Sequence, residues 1–109
     1  MRNKDKTLPL DLAPVERRNI LVSGRVQGVG CRKFVVGHAV KLNLTGFCRN
    51  LPSGEVEVEV EGPSEKIQEF IRHLHQGPPR GKVEKVIVSS TLPLKHNTDF
   101  TIACQADAF

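Results

Sequence analysis

The chain of 109 residues has no tryptophan and no tyrosine, and its five phenylalanines are scattered. Sheets that bind single-stranded nucleic acid stack bases on aromatic side chains, so this composition argues against that role despite a formal net charge of +4. Cysteine is also sparse: Cys31, Cys48 and Cys104 form no C-x-x-C pair. This disfavours a disulfide framework or a zinc ribbon, and it fits a reducing compartment such as the cytoplasm. No apolar run approaches the roughly 20 residues of a membrane helix. The opening MRNKDKTLPLDLAPVERR is charged and broken by Pro9 and Pro14, so residues 1–18 read as a flexible tail without a signal peptide. Residues 19–109 then have the length of one domain.

What is present is a clear succession of periodic segments. In NILVSGRV, residues 19–26, Ile20, Val22, Gly24 and Val26 share one face at period two, as a half-buried strand requires. From Cys31 to Asn43 the period lengthens: Val35, Ala39 and Leu42 make an amphipathic helix, with Gly37 read as permitting close approach to a sheet. Residues 45–51 and 55–60 flank Pro52-Ser53-Gly54, a hairpin turn, with Glu55, Glu57 and Glu59 expected outward and the intervening valines inward. Ser64 reads as the N-cap of a second helix carrying Ile67, Phe70, Ile71 and Leu74 and ending at Gly77. Residues 82–89 and 99–104 supply a further strand and a short fifth one. The order βαββαβ plus a short fifth strand predicts an α+β, ferredoxin-like sandwich with two helices on one face of an antiparallel sheet.

Fold alone does not assign an activity, so the site has to be sought in GRVQGVGCR, residues 24–32. A glycine-rich turn between a strand and a helix N-terminus gathers backbone N–H groups and the positive end of the helix dipole at one point. Arg32 adds a planar fork of donors matched to phosphate or carboxylate. The plainer reading is equally open: the glycines make the turn, and Arg32 is a solvated first-turn residue. A Walker loop is absent, since no Gly-Lys-Ser/Thr follows, and the third glycine of a dinucleotide fingerprint is replaced by Lys33. No histidine or carboxylate lies within the loop to serve as a fixed general base. His73 and His75 lie two apart on a helix, and His38 and His96 have no ligand-spaced neighbours, so no metal site is expected.

The residues from Val22 to Arg32, V-S-G-R-V-Q-G-V-G-C-R, resemble a signature of the acylphosphatases. The segment from Gly46 to Gly62, G-F-C-R-N-L-P-S-G-E-V-E-V-E-V-E-G, resembles that family's other signature. The likeness continues through Gly77-Pro78-Pro79-Arg80 and Asp99-Phe100-Thr101-Ile102, covering roughly residues 19–104. It implies hydrolysis of the carboxyl-phosphate bond of small acyl phosphates, by a monomer needing neither cofactor, nucleic acid nor membrane. By the same resemblance, Arg32 holds the phosphoryl group and Asn50 orients the attacking water. Gln27, Gly28, Val29, Gly30 and Cys31 then form the cradle. One position departs from the family pattern: Cys31 stands where a large apolar side chain usually precedes the arginine. A cysteine at a helix N-terminus can have a lowered thiol pKa and be oxidisable, but cysteine more often acts as a small apolar residue, and that reading of Cys31 is favoured. The competing reading is a non-catalytic phosphate- or nucleic-acid-binding module on the same sandwich.

Overall fold

Apolar side chains at period two on three strands, and at helical spacing on two helices, converge on one core. The computed structural model describes residues 14–103, and it contains β1 (Val15–Arg25), α1 (Cys31–Lys41), β2 (Thr45–Asn50), β3 (Val56–Pro63), α2 (Ser64–Gln76), β4 (Lys82–Val88) and β5 (Phe100–Ile102). Ile20 and Val22 of β1, Cys48 of β2 and Val56, Val58 and Val60 of β3 are buried with Val35 and Ala39 of α1 and Ile67, Phe70 and Leu74 of α2. Phe70 meets Phe100 edge-on at 6.2 Å, joining the second helix to the last strand. Burying such side chains contributes about 1.5–3 kcal/mol each, which makes this layer the main source of stability.

The strands are arranged β4-β1-β3-β2-β5. The expected sandwich is present, but the sheet is mixed. β1 pairs antiparallel with β3 and β4, and β2 pairs antiparallel with β3, whereas β5 runs parallel to β2 through Gly46, Phe47 and Cys48 opposite Phe100, Thr101 and Ile102. The connection from residue 89 to 99 leaves one edge, crosses the sheet and returns with the chain reversed at the other edge. Between β2 and β3 the backbones approach so closely that a Cβ on Gly46, at φ 136°, would collide with the Glu59 carbonyl.

Several local expectations are corrected. β1 begins at Val15, so residues 15–18 belong to the sheet; the rest of the expected tail, residues 1–13, lies outside the described residues, as does Cys104. Pro63, not Ser64, is the N-cap of α2; Ser64 is the first helical residue, and its backbone N–H donates to the Pro14 carbonyl at 3.1 Å. Gly37 does not mediate close packing, because it is exposed and a Cβ there would meet nothing within 4 Å.

The glutamates of β3 do face away from the helices, but they are not all solvated. Arg17, 1% exposed, donates from Nε to Glu59 at 2.5 Å and from Nη1 to Glu61 at 2.8 Å and Asn97 at 3.0 Å. Glu61 also accepts the backbone N–H groups of Lys95 and His96. Burial alone would raise both carboxyl pKa values, but the hydrogen bonds to Glu59 from Arg17 and Lys95, and to Glu61 from the Lys95 backbone and Arg17, hold them below the usual range. Farther along the strand, Glu57 is taken up by Arg49 and Asn19.

Candidate functional site

The loop from Val26 to Gly30 connects the end of β1 to the start of α1. Gly28 and Gly30 adopt φ 76° and 80°, left-handed conformations that cost an ordinary L-residue about 1–2 kcal/mol. Gly30 is the N-cap of α1, makes no side-chain cap, and is followed by a first turn without an acidic residue. The first intrahelical bond runs from the Phe34 N–H to the Gly30 carbonyl at 3.0 Å. The N–H groups of Cys31, Arg32 and Lys33 therefore have no partner within the helix, and the positive end of the helix is uncompensated by side chains.

That helix end opens into a cavity of about 320 Å³ lined by Val26, Gly28, Gly30, Cys31, Arg32, Lys33, Asn50 and Ile102. Asn50, the last residue of β2, has a buried Oδ1 without a hydrogen-bond partner among the described residues. Leaving such an acceptor unpaired costs about 1–3 kcal/mol, so the position favours a donor arriving from the cavity. Arg32 is half-buried and makes no ion pair with a described residue. The side chains thus place a cationic fork, uncommitted backbone donors and an uncommitted amide oxygen around one volume. This set can bind an oxyanion and hold a water beside it.

Of the residues expected in the site, Arg32, Asn50, Gly28, Gly30 and Cys31 come together on the cavity. The side chains of Gln27 and Val29 do not line it. Gln27 Nε2 instead donates to the carbonyls of Leu51 (2.9 Å) and Glu55 (3.0 Å), fastening the loop to the β2–β3 hairpin that carries Asn50. Val29 packs against the core edge. Val26, Lys33 and Ile102 were missed. Lys33 follows Arg32 in the first helical turn and was legible as a second cation; Ile102 arrives through the parallel β2–β5 pairing, which left no sequence signal.

The surroundings of Cys31 agree with the favoured apolar reading and not with the redox alternative. Its side chain is buried, 4% exposed, and that burial pushes the thiol pKa up in spite of the neighbouring Arg32. Cys48 beneath it, fully buried, is pushed up to about 12 by burial and by Cys31. Its thiol donates to the Arg32 carbonyl at 3.8 Å, so both sulfurs act as floor for the helix start. The histidines show no metal-ligand spacing in sequence; in the structure His38 and His73 stack across the two helices with ring centroids 4.0 Å apart. Among the described residues no group of three or more His, Cys, Asp or Glu is placed to hold a metal ion. No helix there is long and apolar enough to cross a membrane.

Comparison with known proteins gives a consistent result. The family model described as acylphosphatase matches residues 18–102. The chain is 53% identical over 68 residues to an acylphosphatase of Thermus thermophilus, covering 62% of this chain and 77% of that one. It is 45% identical over 86 residues to an acylphosphatase of Caldivirga maquilingensis, covering 78% and 87%. The crystal structure of acylphosphatase from Bacillus subtilis superposes with a TM-score of 0.79 at 37% identity, over 83% of this chain and 99% of that one.

Proposed function

The chain belongs to the acylphosphatase family and is a hydrolase of acyl phosphates; we propose that it works by cradling the phosphoryl group at the start of α1 while Asn50 directs water onto phosphorus. The observation that carries this reading is the unpaired, buried Asn50 Oδ1 in the same cavity as the uncapped helix end.

Non-bridging phosphoryl oxygens accept hydrogen bonds from the loop and first-turn N–H groups and from the Arg32 guanidinium. These donors neutralise the charge that would repel a nucleophile, and they are in place before reaction begins. A water donates one O–H to Asn50 Oδ1 and directs a lone pair at phosphorus. As the new P–O bond forms, the bond to the acyl oxygen breaks and the carboxylate leaves with the electron pair. Asparagine cannot take the water's proton at neutral pH, so the proton passes to a phosphoryl oxygen. Because a carboxylate is a good leaving group, positioning and charge neutralisation suffice without a strong base or general acid. Gln27 acts through the hairpin, holding the Asn50 strand end against the loop.

The same reading makes the protein a monomer that uses no cofactor and does not bind nucleic acid. Supporting the last point, Glu57, Glu59 and Glu61 occupy the sheet face where bases would stack. Buried Cys31 and Cys48, both free thiols, support a reducing, cytoplasmic setting.

The test is steady-state hydrolysis of benzoyl phosphate by wild type, Arg32→Ala and Asn50→Ala, with phenyl phosphate as control. The expected outcome is turnover of the acyl phosphate alone, and its loss in both folded variants. Turnover by either variant at the wild-type rate would overturn that residue's role.

A further inference from the structure

The cavity is graded from floor to rim. Val26 is 1% exposed, Cys31 is 4% exposed and the Asn50 Oδ1 is buried, whereas Ile102 is 47% exposed and Lys33 is also exposed. If Asn50 directs the attacking water, in-line displacement puts the leaving acyl group on the opposite side of phosphorus, away from the floor and toward the rim. A phosphoryl group fills only a fraction of 320 Å³, and the remainder at the rim has one apolar wall, Ile102, and one cation, Lys33.

Lys33 is not a second copy of Arg32. Successive residues of a helix diverge by about 100° around its axis, so the two side chains enter the cavity from different directions. Arg32 is half-buried, while Lys33 stands at the solvent edge and pairs with no carboxylate among the described residues. No aspartate or glutamate lines the cavity to oppose it. Its flexible stem carries a point charge able to meet an anion beyond the phosphoryl position.

We propose that Lys33 is a specificity-determining residue that, sharing the exposed rim with Ile102, favours acyl phosphates bearing a second anionic group on the acyl moiety. This inference rests on the phosphoryl-site reading above and extends it to the other end of the substrate. Because Lys33 is solvent-exposed, the preference is modest, about threefold to fivefold, as for a screened surface ion pair.

The experiment compares kcat/KM for 4-carboxybenzoyl phosphate with that for 4-carbamoylbenzoyl phosphate, a neutral analogue of the same shape. The ratio is taken for wild type, Lys33→Gln, Lys33→Arg and Lys33→Glu, so intrinsic reactivity cancels between proteins. Expected is a ratio that falls threefold to fivefold in Lys33→Gln through KM, recovers in Lys33→Arg and falls further in Lys33→Glu. An unchanged ratio in all three variants overturns the proposal, as does an equal loss for both substrates, which would make Lys33 part of the phosphoryl cradle. Failure of wild type to hydrolyse either compound would instead count against the phosphoryl-site reading itself.

Discussion

Two arginines divide the molecule's polar chemistry between opposite faces of the sheet. Arg17, on the face away from the helices, has its charge matched by Glu59 and Glu61 and its remaining reach taken by Asn97. Arg32, at the start of α1, pairs with no described carboxylate and sits beside uncommitted backbone donors and the unpaired Asn50 oxygen. The first cluster is closed and can only support the fold. The second is left incomplete by the chain's own groups, and that incompleteness is the ground for proposing it as the binding site. The same side chain is structural or functional according to whether its partners come from the protein.

The largest expected effect of erasing this difference is on the closed cluster. Arg17→Ala takes the buried cation from two carboxylates, leaving Glu59 only Lys95 and Glu61 only the Lys95 and His96 N–H groups, and should lower unfolding stability by about 3 kcal/mol in urea titration. The sign of its pH dependence follows from the carboxylates. Glu59 and Glu61 have folded pKa values below the ordinary 4.5, so their contribution is complete above that pH and is lost as pH falls through the depressed values. Wild type should therefore lose stability steeply below pH 4.5, and Arg17→Ala should show a flatter curve. Arg32→Ala should do the reverse, with stability within about 0.5 kcal/mol of wild type. Its kcat/KM for benzoyl phosphate should fall by about 10²–10³-fold, as for loss of one oxyanion donor.

Backbone at the loop comes next. Gly30→Ala forces a Cβ into a left-handed conformation and should destabilise the protein by about 1–2 kcal/mol while weakening inhibition by inorganic phosphate. Steric crowding would not explain the change, because a Cβ there meets nothing within 4 Å. The smallest effect concerns the stacked pair between the helices. His38 has its pKa lowered from 6.5 by burial, then by His73 and Lys41, so folding favours its neutral form. Stability should decline slightly as pH drops below 6.5 toward the folded pKa, and His38→Gln should remove that part of the slope.

The helices and first four strands were legible because Ile20 and Val22, Val56 to Val60, and Ile67 to Leu74 carry unambiguous periods. That Arg32, Asn50 and the loop glycines share one cavity was legible because two motifs place them at element ends. Other features were hidden for physical reasons. A buried arginine at position 17 breaks the apolar alternation, so β1 seemed to begin later than Val15. Glu59 and Glu61 look solvent-facing until a connection from distant sequence folds over them. Ile102 reaches the cavity through a three-residue strand paired parallel to β2, and short parallel edges leave little local pattern.

The central claim is a division of labour between binding by Arg32 and the loop and direction of water by Asn50. The most direct measurement is the inhibition constant of inorganic phosphate alongside kcat for benzoyl phosphate, in wild type and Asn50→Ala. The account predicts a fall in kcat of about 10²–10³-fold with phosphate inhibition nearly unchanged. A matching loss of phosphate affinity, or a kcat close to wild type, would contradict it.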